Sequence, residues 1–347
     1  MYADPVVDQY RLMLRLQAAA LRLGRRAWRN VRADDLSGSW SYEVARFLPA
    51  MVAAQTDAAF AGATYVAESL DSMGAYVAPV AAVQYKSLAG VASDGRPLES
   101  LLYSPVTGVK SLISQGVAPR DALAGGLKLL ERNISTTLAD TARTASGIDI
   151  AVRPQVGYVR MLNPPSCSRC TVLAGRYYKW NAGFQRHPKC DCIQQPAKGV
   201  DAARSEGLIA DPYDYFNGLS EAEQDKAFTK AGAQAIRDGA DISQVVNARR
   251  GMYTTQGGLV ATREGVTKRG YFGAQQAEFK KVQGSKYSQA RTARVMPETI
   301  YQLAGSREEA LRMLKQYGYI TDQGQVLAPI RGEGFGFSGG RKNRLGY

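Results

Sequence analysis

The residues that could bind a metal ion are gathered in one short stretch of this 347-residue chain. The stretch contains all four cysteines and the only histidine, arranged as a Cys-x-x-Cys pair followed by a His-x-x-Cys-x-Cys group. Structural zinc is commonly held in a tetrahedron of four thiolate or imidazole ligands that come as two short pairs. The spacing therefore predicts a single structural Zn²⁺ site. Its candidate ligands are Cys167, Cys170, His187, Cys190 and Cys192.

The candidate ligands outnumber the four positions of a tetrahedral zinc ion. If residues 190–192 are extended, the side chains of Cys190 and Cys192 point to opposite faces, because successive residues of a strand alternate. One of these two cysteines is therefore expected outside the coordination sphere, and the sequence leaves open which. A zinc ion with four protein ligands has no position for a substrate, so the predicted site stabilises the fold rather than catalyses.

Three other interpretations of the cysteines compete with zinc. Two disulfides fit an even cysteine count, but Met1–Asp4 is polar and lacks the apolar core of a signal peptide, which predicts folding in a reducing cytosol. A redox-active Cys-x-x-Cys pair requires a thioredoxin-like βαβ context, which the preceding Pro164 and Pro165 do not supply. A nucleophilic Cys–His pair would leave the other three cysteines unexplained.

The composition is that of a globular chain with room for two domains, at 45% hydrophobic and 22% charged residues. No apolar run is long enough to span a membrane. The net charge of +13 is unevenly placed: residues 1–150 carry 15 basic and 14 acidic side chains, residues 151–200 carry 8 and 1, and residues 251–347 carry 15 and 7. The last two segments favour a polyanionic neighbour, either nucleic acid or an acidic protein surface, with a solubilising surface as the alternative.

Hydrophobic periodicity predicts that residues 1–148 are almost entirely helical. The predicted helices cover residues 5–30, 41–71, 75–92, 98–115 and a segment that starts at Pro119. The first helix has apolar residues on one face and arginines on the other, which is typical of a membrane-surface helix or of one that packs into a bundle or onto a partner. Asp4 and Asp8, together with the long helices that follow, favour packing.

A change of pattern at Gly147 predicts a small β module within residues 149–251. Strands are predicted at residues 148–152 and 156–162, and a hairpin at residues 172–180. Because small metal-binding domains need apolar cover, nearby aromatic side chains are expected to shield the zinc site. These are Tyr177, Tyr178, Trp180 and Phe184.

The rest of the chain is predicted to combine short helices with basic segments. The capping box Ser220–Glu223 predicts the start of a helix, and helices are expected to flank the β module. Residues 252–295 are rich in glycine and basic side chains, and they are predicted to form a basic extended arm or hairpin that a partner would order. Residues 296–347 are predicted to contain two helices, beginning near Pro297 and Ser306, and a flexible basic tail. The expected fold class is α+β: a mainly helical N-terminal region, a small zinc-stabilised β module with flanking helices, and a basic extended C-terminal arm.

Several motifs of the chain resemble those of one protein family. The predicted strand at residues 156–162 is followed by Pro165-Ser-Cys-Ser-Arg-Cys170, Leu173-Ala-Gly-Arg-Tyr-Tyr178 and His187-Pro-Lys-Cys-Asp-Cys192. Further motifs are Ala231-Gly-Ala-Gln-Ala-Ile-Arg-Asp-Gly-Ala-Asp241, Val246-Asn-Ala-Arg-Arg-Gly251, Met296-Pro-Glu298 and Gly318-Tyr319. Over residues 120–320 the chain thus resembles the MuF-like minor head proteins of tailed bacteriophages, in the form found in phages of actinobacteria. This head-morphogenesis family is usually encoded near the portal protein.

The resemblance implies a minor capsid protein that acts in head morphogenesis inside the virion, after assembly in the cytoplasm of the host bacterium. The expected partners are the portal protein, the major capsid or scaffold protein, and packaged DNA, which the basic C-terminal segments would contact. No membrane contact is expected. The protein is expected in multiple but few copies per particle, and ejection with the genome is one fate that the resemblance allows.

The resemblance also brings an enzymatic alternative, because such proteins are often labelled capsid maturation proteases. A Ser-His-Asp mechanism requires a histidine that is not bound to metal, and His187 is the only histidine. The chain has no His-Glu-x-x-His sequence for a metalloprotease and no Gly-x-x-x-x-Gly-Lys-Ser/Thr phosphate-binding loop. A Ser–Lys pair stays open, although no sequence feature marks one. The residues therefore predict no catalytic site and favour a structural role over cleavage of scaffold or capsid subunits.

Overall fold

The computed structural model describes residues 4–162, 165–183, 192–208, 211–266, 271–274, 279–283 and 288–320. The fold is mixed α+β with small antiparallel sheets, as the sequence predicts at this level. The chain forms two compact units. The first contains Met1–Met161 and Tyr177–Ile209, and the second contains Leu162–Arg176 and Ala210–Tyr347.

Helices dominate the secondary structure of the described residues. In chain order they are α1 (Asp4–Trp28), α2 (Leu36–Ser72), α3 (Leu98–Ser114), α4 (Pro119–Ala151), α5 (Ser168–Thr171), α6 (Gly199–Ser205), α7 (Pro212–Asn217), α8 (Glu221–Phe228), α9 (Lys230–Arg237), α10 (Ile242–Ala248), α11 (Tyr271–Ala274), α12 (Pro297–Leu303) and α13 (Arg307–Gln316). The strands are β1 (Gly157–Met161), β2 (Tyr177–Lys179), β3 (Ile193–Ala197), β4 (Met252–Thr254), β5 (Val260–Thr262), β6 (Phe279–Lys281), β7 (Ser288–Ala290) and β8 (Arg294–Val295).

Glycines at the helix contacts let α1, α2 and α4 approach one another closely in the first unit. At position 62 in α2, a Cβ atom would lie 2.2 Å from the carbonyl oxygen of Ala142 in α4, so only glycine fits. At position 24 in α1, a Cβ would lie 2.5 Å from the Ile134 side chain. Helix axes that approach this closely leave little room for a ligand pocket between them. The helices predicted near residues 5–30, 41–71 and 98–115 and from Pro119 are confirmed.

Two helix and strand predictions in the first unit are wrong. Residues 75–92 contain only a 3₁₀ turn, Tyr85–Leu88, instead of a helix. Pro79 cannot donate a helical hydrogen bond, and Val80 N donates to Val152 O outside the segment. Residues 148–152, predicted as a strand, form the end of α4 and its cap. The i,i+4 ion pair between Arg153 and Asp149, at 2.7 Å, supports this last helical turn.

The sheet of the first unit has the strand order β2-β1-β3 and is antiparallel throughout. The strand predicted at residues 156–162 is confirmed as β1, the central strand, in which every residue is buried. The hairpin predicted at residues 172–180 is wrong. Only its second half forms a strand, β2, which pairs with β1. Residues 172–175 form a turn, and Val172 packs in the core of the second unit.

The second unit is a cluster of short helices around a core that contains Phe216, Phe228, Ile300 and Leu314. The capping box predicted at Ser220–Glu223 is confirmed at the start of α8. The predicted helix starts at Pro297 and Ser306 are confirmed as the starts of α12 and α13.

The described part of residues 252–295 contains a hairpin, one of the two forms predicted for this segment, and is not one continuous extended arm. Strands β4 and β5 form an antiparallel hairpin, and β8 adds to the edge of β5. Strands β6 and β7 pair separately. The predicted basic tail, residues 321–347, lies outside the described residues. Within the part of the chain that is described, no helix is both long and apolar enough to cross a bilayer.

Candidate functional site

The Cys-x-x-Cys pair lies at the start of α5 in the second unit. Cys167 is the N-cap residue, and its Sγ accepts a hydrogen bond from the backbone N–H of Cys170 at 3.4 Å. The two thiols therefore belong to one tight turn. Cys170 is buried, at 1% exposure, whereas Cys167 is half-buried. An amide donor to a cysteine sulfur is the kind of outer contact that orients and stabilises a metal-bound thiolate.

The core of the second unit fixes the position of this turn. Val172, directly after α5, packs in the hydrophobic cluster around Phe216 and Phe228. Ser166 N, directly before the pair, donates to the hydroxyl of Tyr215 at 2.9 Å. The hydroxyl of Thr171 donates to Cys167 O at 3.1 Å. Because both flanks are anchored, the cysteine pair is held in a fixed geometry.

Cys192 lies in the first unit, directly before β3, and its side chain is completely buried. Its carbonyl oxygen accepts a hydrogen bond from Arg143 Nε at 2.7 Å. Arg143 is itself buried and forms an ion pair with Asp140 at 3.1 Å. The charged side chain from α4 thus fixes the backbone that carries this cysteine.

His187 and Cys190 lie outside the described residues, as does Phe184. Among the residues that are described, no group of three His, Cys, Asp or Glu side chains is arranged to hold a metal ion. The chemistry of Cys167 and Cys170 fits one half of a zinc site, since the pair has the two-residue spacing and the shared turn that such a half-site needs. The structure therefore describes three of the five predicted ligands and leaves the choice between Cys190 and Cys192 open.

The structure describes three of the four aromatic residues that are predicted to shield the metal. Tyr178 stacks on Tyr158 in the first unit, with ring centroids 5.3 Å apart, and Tyr177 packs against the cluster that contains Val159. Trp180 is 59% exposed, so its indole does not belong to a core. For Trp180 the prediction of apolar cover is wrong.

Among the residues that the structure describes, Ser37 and Lys110 form a contact that no sequence motif indicated. Lys110 Nζ in α3 donates to Ser37 Oγ in the first turn of α2 at 2.5 Å. Lysine acts as a general base where burial removes its ammonium from water, but Lys110 is exposed. An open groove of about 740 Å³ runs along α3, and its lining residues do not include Ser37 or Lys110. The geometry is that of a link between two helices rather than of a hydrolytic dyad.

No sequence motif predicted a polar cluster that lies in the second unit. Thr229, between α8 and α9, has φ of 68°, a conformation that is rare and strained for a β-branched residue. Its hydroxyl donates to Glu298 Oε1 at 3.2 Å and accepts from Arg249 Nη1 at 3.0 Å, while Arg249 also donates to Glu298 at 3.0 Å. These contacts join α9, α10 and α12. The hydroxyl of Thr229 also caps α9. These stabilising contacts give the strained backbone of Thr229 a structural explanation.

A buried aspartate organises the opposite end of α9. Burial alone would raise the pKa of Asp238, but hydrogen bonds from Tyr301, Gln234 and Arg307 outweigh it and lower the pKa below its usual value. Burial and the Asp238 carboxylate together raise the pKa of Tyr301. Both groups therefore keep their ordinary charge states, and neither is prepared for proton transfer near neutral pH.

Comparisons of the chain with protein-family models, with curated proteins and with solved structures find no match. The case for a function therefore depends on the residues and their geometry.

Proposed function

We propose that this chain is a structural minor head protein of the MuF-like type, which acts in the head morphogenesis of a tailed bacteriophage. The motifs around Cys167–Cys170, His187–Cys192, Ala231–Asp241 and Met296–Glu298 support the family. The observation that carries the structural role is the fixed turn of Cys167 and Cys170, which is anchored on both sides in a packed core. A site of this kind serves stability rather than turnover.

In this proposal one Zn²⁺ ion is held by Cys167, Cys170, His187 and one of Cys190 and Cys192. When bound, zinc supplies a rigid cross-link between segments that are distant in sequence. The chain's own contribution is the shared turn and its amide donor to sulfur. With the only histidine used as a ligand, no imidazole is left for acid–base chemistry.

The proposed partners follow from the two kinds of surface that the chain offers. The long helices of the first unit present a rigid scaffold to the portal protein or to major capsid or scaffold subunits, and the basic C-terminal segments lie near packaged DNA. The protein would reside in several copies inside the phage head, after assembly in the cytoplasm of the host.

Co-purification with the portal protein encoded by the same genome tests the proposal. The tagged full-length chain is expected to retain the portal protein through gel filtration and to contain close to one equivalent of zinc by elemental analysis. A Cys167→Ser variant is expected to lose the zinc, whereas Ser168→Ala, in the same turn, is expected to keep it. A wild-type chain that binds no portal, capsid or scaffold subunit would contradict the proposed role.

A capsid maturation protease is the second candidate, and the contact between Ser37 and Lys110 is the one observation that favours it. Co-expression with the other head proteins, followed by mass spectrometry of their termini, separates the two functions. We expect the same termini with the wild-type chain and with Ser37→Ala. Cleavage that disappears in Ser37→Ala or Lys110→Gln but persists in Ser39→Ala would establish the protease and contradict the structural role.

A further inference from the structure

The outer face of α1 carries a row of arginines that ends with Arg29, directly after the helix. Between Asp8 and Asp34 the chain has seven arginines and no acidic residue. Four of these arginines are exposed and have no acidic partner among the described residues, unlike Arg11, Arg25 and Arg32, which form ion pairs. We call these four the arginine ridge: Arg15, Arg22, Arg26 and Arg29.

Helical geometry places the ridge on one line. At 3.6 residues per turn, the four positions fall within an arc of roughly 60° around the helix axis. At 1.5 Å per residue, they extend over about 21 Å. The opposite face of α1, with Met13, Ala20, Gly24 and Trp28, is buried in the core of the first unit. Three ridge residues thus belong to a packed helix, Arg29 continues its geometry because Arg29 N donates to Arg25 O at 3.2 Å, and all four side chains are exposed.

We propose that the arginine ridge binds the phosphate backbone of duplex DNA. Guanidinium groups match phosphate oxygens in planar, bidentate geometry, and the ridge contains arginine only and no lysine. Duplex DNA carries one charge per about 1.7 Å of its axis, so the phosphates along this length outnumber the four arginines. Such contacts bind without reading sequence.

The burial of the apolar face of α1 argues against a membrane surface as the ligand. A membrane-surface helix inserts its apolar side into the lipid, but that side of α1 packs against α2 and α4. The large apolar residues exposed on α1 are the separate Leu14 and Leu23. DNA is also the polyanion that the proposed function puts beside this protein. The choice of DNA as the ligand rests on the proposed function. The exposure and alignment of the four arginines do not depend on it.

Fluorescence anisotropy with a labelled 30-bp duplex of arbitrary sequence tests the inference on the full-length chain. Replacing the four ridge arginines with glutamine is expected to weaken binding at low salt by at least about tenfold. The slope of log K against log salt should fall by about 3 to 4, since each lost phosphate contact removes about 0.9. A matched variant in which lysine, instead of glutamine, replaces the same four arginines keeps the charge and is expected to retain most of the salt slope.

A control variant removes the same charge elsewhere. Lys86, Arg120, Lys226 and Lys230 are all exposed and lie outside the basic C-terminal segments, and glutamine at these four positions is expected to leave the salt slope nearly unchanged. Equal losses in the ridge and control variants would show an effect of net charge alone and would overturn the inference. Ridge-dependent binding to phosphatidylserine vesicles without binding to the duplex would overturn it too, as would a ridge variant that binds DNA like the wild type.

Portal co-purification of the ridge variant separates this inference from the proposed function. We expect the variant to retain the portal protein, because α2, α3 and α4 are unchanged, while it loses DNA affinity. Circular dichroism and thermal unfolding check that the variant is folded, which is expected because the four side chains are exposed. If the wild-type chain binds the portal protein but not the duplex, the inference about α1 is wrong and the proposed function is unaffected.

Discussion

The guanidinium group of Arg294 lies over the ring of Tyr319, with its central carbon 3.9 Å from the ring centroid. Arg294 is almost completely buried, and burial lowers its pKa. Its Nε donates to Tyr317 O at 2.8 Å and its Nη2 to Gly318 O at 2.9 Å, at the C-terminal end of α13. The negative end of the helix dipole and the ring face thus stabilise a buried cation.

Replacing Arg294 with methionine is expected to lower the free energy of unfolding of the second unit by about 3 to 5 kcal/mol. The substitution leaves two buried carbonyl groups without donors, each at a cost of about 1 to 3 kcal/mol. Urea unfolding followed by circular dichroism measures the change. Arg312→Met on the exposed face of α13 is the control, and it is expected to change stability by less than about 0.5 kcal/mol. Equal effects of the two substitutions would show that the buried contacts contribute nothing specific.

The contact between Gly62 and Ala142 gives a second prediction, in the first unit. Gly62→Ala is expected to lower the free energy of unfolding by about 1 to 3 kcal/mol, because α2 and α4 must separate to admit the Cβ. This loss is expected despite the higher helix propensity of alanine, which favours the variant by about 1 kcal/mol. Gly108→Ala in α3 is the matched control. Its Cβ would meet only the Leu129 side chain at 3.3 Å, so little loss or a small gain is expected.

The hydrogen bonds of Asp238 predict a pH-dependent contribution to stability. Since the pKa of Asp238 is lowered in the folded protein, its contribution is complete above the unfolded pKa of about 3.9 and is lost as pH falls through the folded value. At neutral pH, Asp238→Asn is expected to cost about 1.5 to 3 kcal/mol, as for hydrogen bonds to a charged group. The difference between wild type and variant should shrink below about pH 4.

Thermal unfolding of both proteins between pH 3 and pH 7 measures this difference. Asp201→Asn is the control, because the Asp201 side chain is 99% exposed and its ion pair with Arg204 spans 3.6 Å. A surface pair of this kind contributes about 0 to 1 kcal/mol. A constant difference between Asp238→Asn and wild type over the whole pH range would contradict the assigned charge state.

Sequence patterns predicted the elements whose causes are local. The amphipathic repeat located α1, and capping residues located the starts of α8 and α13. The segment with Ile148 and Ile150 failed because β-branched residues favour strands only on average. Here Ile150 is fully buried in the first unit, so tertiary packing keeps the segment in α4.

The candidate sites show the same division between local and long-range causes. The spacing of Cys167 and Cys170 predicted one short pair of ligands, and the structure places both residues in one turn because only two residues separate them. The sequence placed arginines on one face of the first helix, but the charge count of residues 1–150, with 14 acidic and 15 basic side chains, did not indicate a basic surface. Only the packing of α1 shows which of those charges share one exposed face. Arg294 gave no signal either, since its partners are carbonyl groups more than twenty residues away.

The choice between Cys190 and Cys192 gives the last prediction. Because zinc takes four ligands, one of the variants Cys190→Ser and Cys192→Ser is expected to lose the metal, and the other is expected to keep close to one equivalent. Elemental analysis of both purified variants, with Cys170→Ser as the control that loses zinc, decides the assignment. Cys192→Ser is also expected to lower the stability of the first unit, because the side chain is fully buried. If both variants keep the metal, neither cysteine is a required ligand, and the tetrahedral site built on His187 is wrong.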